Sequence, residues 1–388
     1  MGPLKGFRIL EIAGIGPSQF CGMLLADMGA SIIRIDRPAG ANPGTGISTG
    51  RPVLIPDKFN LMNRSRPTIA ADLKSEQGRN LVFQLCKHAD AIFEGFRPGV
   101  MEKLGLGPDD CRAVNARLVY GRMTGWGQEG PLADTAGHDG NYAAITGALG
   151  AIGEKGKSPA IPLNLVADFG GGGAYLAIGI LAALLEAQRS GSGQVVDAAM
   201  VDGSASLMTL FYGLYAGGLW KDERGSNLLD GAAPFYRPYR TSDGQHVVVC
   251  AIEQQFFAEL LRVGDVEGIA VADQNDRSKW AEHIEIFSKL FISKTRDQWA
   301  ETFAGSDACA APILSLAEAP DHDHVEARRT FVTVDGIRQP APAPRFSRTR
   351  SVIQCGPTRV GQMDADALRD WGMSDTEIGE FDGYISGS

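Results

Sequence analysis

The 388-residue chain carries no excess of positive charge: 37 Lys and Arg stand against 46 Asp and Glu, for a net charge of −9. A general nucleic-acid binder needs the opposite balance, so that class is excluded and only local basic pockets remain open. Cysteine is sparse. Cys21, Cys86, Cys111, Cys250, Cys309 and Cys355 form no C-x-x-C pair. A chain of this length needs no disulfide scaffold, so reduced thiols and a cytoplasmic location are expected. The opening MGPLKGFRILEIAG lacks the apolar core and cleavage pattern of a signal peptide. Position 6 is glycine, which breaks the myristoylation pattern, and the closing YISGS is no lipidation or peroxisomal address. Long apolar runs are few: besides the mostly apolar segment 202–218, there is the run at 169–185. That run touches the lower limit of a membrane span. Its four glycines and its flanks Asp168 and Glu186 predict a buried core helix instead, and no membrane span is expected. No metal cluster is expected either: the D-H-D-H at 321–324 sets its neighbours two apart, which do not converge on one ion when helical. Gly14 and Gly16 are followed by Gln19 where a dinucleotide fingerprint needs its third glycine. Asp36 stands about where a ribose-binding acid would, but NAD is not expected. There are no internal repeats.

What is present is an alternation. The chain is 44% hydrophobic and 21% charged, ordinary for a soluble globular protein, and long enough for two domains. Apolar runs at 7–12, 31–36, 67–73, 89–94, 118–123 and 194–199 predict buried strands. Amphipathic or apolar stretches at 18–29, 76–87, 108–115 and 174–188 predict the helices between them. The β-turn-α-β start implies a parallel sheet covered by helices. The Gly- and Pro-rich stretch 39–60 reads as a loop. Arg64, Arg66, Lys74, Arg97 and Lys103 fall at element ends, and ligands of open α/β sheets bind outside the carboxyl ends of the strands. Basic side chains gathered there suit a phosphorylated ligand. Arg37 and Arg97 each follow a strand and precede a proline. Composition changes after 230. The segment 234–253 reads as a hairpin around Ser242-Asp243-Gly244, followed by helices at 254–262, 278–292 and 296–305. This is a smaller α+β domain, with a proline-rich return at 337–348 and a last helix at 363–372.

The chemistry-bearing stretch runs from 136 to 173, opening AGHDGNY and closing PLNLVADFGGGG. Asp168 precedes four glycines and an apolar helix, where unpaired N–H groups and the helix dipole favour negative charge. Two readings follow. Either Asp168 and His138 form a site beside ready-made donors, or Asp168 is an ordinary helix cap and His138 a surface residue.

The chain resembles the α-methylacyl-CoA racemases of the family III CoA-transferase superfamily. The likeness is carried by LEIAGIGP (10–17), IDRP (35–38), ADLKS (71–75), EGFRPGVMEKLGLGP (94–108), MTGWGQEGP (123–131), AGHDGNY, PLNLVADFGGG, GQVVDAAMVDG (193–203) and CAIEQQFF (250–257). The resemblance implies a large Rossmann-like parallel-sheet domain (1–200 and 330–388), a linker (201–229), a small α+β domain (230–329), and an interlocked homodimer with each site shared between two chains. It makes His138 and Asp168 the acid/base pair, Glu253 the carboxylate that orients the histidine, and Asp139, Asn164 and Tyr236 their polar support. It assigns the CoA contacts to Arg37, to Ala71, Asp72, Leu73 and Lys74, to Gly95, Phe96 and Arg97, and to Gly137, Gly140, Asn141 and Tyr142. Lys103 stands where a close relative carries arginine, so it would offer a point charge and not a fork. A place in lipid and fatty-acid metabolism follows.

The residue types suit the reaction on their own terms. Racemising a 2-methylacyl-CoA thioester removes the Cα proton from one face and returns one to the other. Histidine suits that work near neutral pH. Asp168 must be an acid for half of each cycle, so burial should raise its pKa. The enolate oxygen needs fixed donors, worth ~3–4 kcal/mol each in other systems; the N–H groups of the helix starting at Asp168 are the expected ones. No cofactor is required, since coenzyme A belongs to the substrate. The first rival is CoA transfer, with Asp168 as a nucleophile forming an acyl anhydride and no histidine base. The second is a non-catalytic acyl-CoA binder, which needs the basic residues alone.

Overall fold

The computed structural model describes residues 2–38, 47–48, 52–53, 55–361, 363 and 365–381. Much of the expected loop 39–60, and the closing YISGS, lie outside the described residues. The chain divides into two compact units, Met1–Thr146 with Leu163–Leu207 and Ala327–Ser388, and Gly147–Pro162 with Met208–Glu326.

In the first unit, β1 (Arg8–Ile12), β2 (Ser31–Asp36), β5 (Thr68–Ala70), β6 (Ala91–Glu94), β7 (Val119–Thr124) and β8 (Val195–Ala199) form one parallel sheet in the order β5-β2-β1-β6-β7-β8. Between β2 and β5, the two-residue β3 (Ile47–Ser48) and β4 (Pro52–Val53) pair antiparallel. All six residues of β7 and all four of β6 are buried, because helices cover both faces and each strand must be apolar on both. Pro17 opens the helix Pro17–Asp27, where its missing N–H costs nothing. Ser75 caps the helix Glu76–His88 by accepting from Gly78 N at 3.0 Å.

The end of the chain returns to this core. Leu368, Trp371, Met373, Ile378 and Phe381 pack with Leu10, Ile33 and Leu85. Trp371 Nε1 donates to Ser31 Oγ at 2.8 Å, and Thr68 Oγ1 to the Arg359 carbonyl at 2.9 Å.

The apolar run is helical with one buried face, while Ile178 and Leu185 on it are exposed. Tyr175–Ser190 buries Leu176, Ala177, Ile180, Ala183, Leu184 and Ala187, although Leu165–Ser190 would be long and apolar enough to cross a membrane by length and composition alone. Its entry differs from expectation. The helix begins at Leu165 and not at Asp168, in a widened π-helical turn over Leu165–Ala174. The glycines there are a packing strip. A Cβ on Gly203 would meet Gly171 O at 1.8 Å, one on Gly171 would meet Ser204 N at 2.6 Å, and one on Gly173 would meet Pro17 O at 2.5 Å. Two neighbouring helices touch this turn backbone to backbone, which no other residue allows.

In the second unit, β9 (Tyr236–Arg240) and β10 (His246–Cys250) form the expected hairpin, and β11 (Ala310–Pro312) joins the other edge of β10. The helices Gln254–Val263, Trp280–Phe291 and Arg296–Phe303 cover a core built on Phe235, Tyr239, Phe257, Phe287, Phe291 and Trp299. The domain bounds differ from the reading. Residues 201–229 are no separate linker, since 201–207 close the first unit and 208–229 belong to the second. Residues 147–162, assigned to the large domain, also lie in the second unit. Arg224 Nη1 donates to the Gly150 carbonyl at 2.7 Å, and Lys155 pairs with Glu223 at 3.0 Å; these contacts between distant segments leave no periodic trace. The return segment carries a further hairpin of β12 (Phe331–Val334) and β13 (Ile337–Pro340).

Candidate active site

The loops leaving the carboxyl ends of the parallel strands border two adjoining cavities in the first unit. One, of about 420 Å³, is lined by Gly16–Ser18 after β1, Gly95–Pro98 after β6, Gly125 and Trp126 after β7, and by Gly137, His138, Tyr142 and Asp168. The other, of about 760 Å³, is lined by Asp36–Pro38 after β2 and Ala71–Lys74 after β5. Phe96 and Arg97 line both. A parallel sheet turns all its strand ends the same way, so residues far apart in the chain converge here.

His138 is exposed and stands at the N-cap of the helix Asp139–Ile145, its backbone N–H held by Asn141 Oδ1 at 3.0 Å. Asp139, next in the chain, is buried, and its Oδ2 accepts from the N–H groups of Ala167 at 2.7 Å and Asp168 at 2.8 Å. One carboxylate therefore joins the segment bearing His138 to the segment bearing Asp168. Asp168 is half-buried, and Asn164 Nδ2 donates to its Oδ2 at 3.1 Å. Burial raises the Asp168 pKa, as expected from the sequence. The Asn164 hydrogen bond opposes this, the Asp139 charge adds to it, and His138 lowers it. Gly16 faces the same carboxylate, with room of only 3.1 Å between a Cβ there and Asp168 Oδ2.

The expected enolate donors need correction. The amides of Ala167 and Asp168 are taken by Asp139, so they do not face the cavity as free donors. The N–H groups of Asp139 and Gly140 make no hydrogen bond among the described residues, and they lie immediately after His138.

Tyr142 packs edge-on against Trp126, 4.7 Å between centroids. It fills the space a side chain at Gly137 would need, 2.7 Å from that Cβ. Burial and then the Asp168 charge push its pKa up to about 12, against Arg97.

Of the other assigned residues, Arg37, Ala71, Asp72, Leu73, Lys74, Gly95, Phe96 and Arg97 all reach a cavity wall. Gly140 and Asn141 line neither cavity, and Asn141 Oδ1 accepts from the His138 N–H. Lys103 is exposed and lines neither cavity, although Val100 and Leu104 beside it do. Glu253 and Tyr236 belong to the second unit. Glu253 is the exposed N-cap of Gln254–Val263, close enough to Cys309 to help burial raise that thiol's pKa, and Tyr236 pairs with Cys250.

Arg64 and Arg66, grouped above with the phosphate candidates, are buried and spent internally. Arg64 forms two bonds to Asp27, and Arg66 Nη1 meets Glu11 Oε2 at 2.5 Å. Asp36, weighed as a ribose acid, is paired with Arg34 at 3.0 Å. The sequence reading passed over Glu94 and Trp126, both inside motifs it had marked.

A histidine and an aspartate wall one cavity at the carboxyl end of the parallel sheet, beside a second cavity lined by Arg37, Lys74 and Arg97; the chain belongs to CoA-transferase family III, which matches residues 4–363. Among its relatives, the alpha-methylacyl-CoA racemase of Mus musculus is 43% identical over 97% of this chain and 95% of its own. The alpha-methylacyl-CoA racemase of Homo sapiens is 39% identical over the same shares. The crystal structure of a CAIB/BAIF family protein from Brucella suis superposes with a TM-score of 0.76 at 26% identity, covering 92% of this chain and 96% of that one.

Proposed function

We propose that the protein interconverts (R)- and (S)-2-methylacyl-CoA thioesters by moving the Cα proton through an enolate, with no metal or redox cofactor. The observation that supports this reading is the presence of His138 and Asp168 in the walls of one cavity, beside a second cavity bordered by Arg37, Lys74 and Arg97. CoA phosphates suit the basic cavity, and the thioester suits the cavity holding the two bases. In one direction His138 takes the Cα proton and the electron pair moves onto the thioester oxygen. Asp168, protonated, then delivers a proton to the opposite face and the pair returns to carbon. The reverse reaction exchanges the roles. The amide of Asp139, which directly follows His138 and makes no hydrogen bond among the described residues, is the donor we assign to the enolate oxygen.

Incubation of each 2-methylacyl-CoA epimer in D₂O, followed by NMR, tests this. Deuterium at Cα and inversion are expected together, and both should survive exhaustive treatment with a chelator. His138→Ala and Asp168→Ala are each expected to abolish inversion. Transferase chemistry would be damaged by Asp168→Ala and little by His138→Ala, so near-normal activity in the histidine variant would overturn the racemase reading.

The same reading takes the protein as a homodimer in which Glu253 from one copy orients His138 of the other. Co-expressed His138→Ala and Glu253→Ala chains with different tags would then form mixed dimers with one intact site. Doubly tagged dimers no more active than the mean of the two variants would exclude the shared site.

A further inference from the structure

Glu94 ends β6 and is 1% exposed. A carboxylate so far from water is costly unless its oxygens are engaged. Both are. Oε2 accepts the Phe96 N–H at 2.7 Å, and Oε1 accepts from Arg122 Nε at 3.3 Å. Arg122, on β7, turns its other nitrogens to Glu102 at 2.7 and 3.3 Å. The bond to Phe96 spans the bend at Gly95, where the chain leaves the sheet. Phe96 and Arg97, directly beyond that bend, line both cavities. Arg97 is exposed, with one long bond from Nη1 to the Asp134 carbonyl at 3.3 Å, so its own contacts do little to set its pose.

We propose that Glu94 is a positioning residue for CoA binding: its ionised carboxylate holds the Phe96 N–H and sets the wall shared by the two cavities, and its protonation loosens that wall. The inference rests on the reading that these cavities take a CoA thioester. The groups facing Glu94 are Arg122 and Tyr120 from β7 and Glu102 from Val100–Lys103. Burial pushes Glu94 up to about 7, the Phe96 amide and Arg122 oppose this, and Glu102 adds to it. Above that value the carboxylate is charged and the amide is held by a charge-assisted bond. Below it the acid keeps a weaker acceptor and loses its hold on Arg122. CoA binding should therefore weaken on acidification.

Coenzyme A itself is the probe, titrated into the full-length protein from about pH 6 to about pH 8.5. The phosphates of CoA also titrate there, so the readout is the ratio of the Glu94→Gln dissociation constant to that of the unsubstituted protein, in which the ligand's protonation cancels. Glutamine matches the protonated acid in shape. The ratio is expected to be about tenfold at the alkaline end and to fall towards one at the acid end. A role confined to stability would leave the ratio flat, and a flat ratio overturns the proposal. Glu102→Gln gives an independent arm, decisive if the Glu94 variant does not fold. Removing the charge that raises Glu94 should carry the loss of binding to lower pH, and an unmoved or upward-moved limb overturns the proposal. Absence of CoA binding to the unsubstituted protein at every pH would overturn the function reading, and this inference with it.

Discussion

Arg66 and Arg97 both lie beside strands of the parallel sheet, and both were reasonable phosphate ligands by position. Arg66 is fully buried, bonded to Glu11 at 2.5 Å and to Asn63 Oδ1 at 3.2 Å. Gly22 is kept bare for it, since a Cβ there would fall 2.0 Å from Arg66 Nη1. Arg97 is exposed in the wall between two cavities, with one long bond to a carbonyl. What separates the two is a carboxylate arriving from another strand. Glu11 on β1 reaches Arg66, and Asp27 likewise reaches Arg64. No acid comes to Arg97 or Arg37 among the described residues, as their absence from the ion pairs records. An arginine already paired inside has no fork left for a ligand, while an unpaired one at the rim keeps its charge for phosphate.

The contrast predicts opposite failures. Arg66→Met leaves buried Glu11 with only Arg34, 3.9 Å away, and should cost about 3–5 kcal/mol of stability, read by urea denaturation. Adding Glu11→Leu to it should recover much of that loss. An unshifted midpoint in the single variant would erase the distinction between the two regions. Arg97→Ala should do the reverse, raising KM for a CoA ester by about tenfold or more while stability stays within about 0.5 kcal/mol. Arg37→Ala should act in the same sense but less, with KM rising and kcat retained, because a contact equal in ground and transition state leaves turnover alone. The smallest change expected is at Asn164→Ala. Its amide favours the charged form of Asp168, so its loss should raise that pKa further. The limb of the pH–rate profile that needs ionised Asp168 then moves to higher pH, where the pair titrates as a unit. A limb that stayed in place, or moved towards acid, would show that the hydrogen bond does not set the aspartate's ionisation.

Local patterns carried much of the fold. The runs FRILEI and SIIRID became β1 and β2 within a residue because a strand buried on both faces must be apolar throughout. The hairpin around Ser242-Asp243-Gly244 was legible from its turn chemistry, with Gly244 at φ 79° and Asp243 bonded to Thr241 Oγ1 at 2.6 Å. The motifs also marked most of the cavity walls, from Arg37 to Tyr142. The glycine run was legible only in part. Glycine announces a close approach but not by what, and here the visitors are the backbones of Pro17 and of Gly203–Ser204. Lys103 lines neither cavity, although Leu104 beside it lines the second.

The sequence by itself determined the alternation of strands and helices, the parallel sheet, the family, and the residue types able to move a proton on a thioester. All of these are written in local periodicity, turn residues and motif spacing. Only the tertiary structure decided which charges are free to meet a ligand, that Asp139 spends the amides of Ala167 and Asp168, that Glu94 holds the Phe96 bend, and that 147–162 go with the second unit. Each of these depends on a partner brought from a distant part of the chain. Burial and pairing belong to the pair, and neither residue's neighbours in sequence record them.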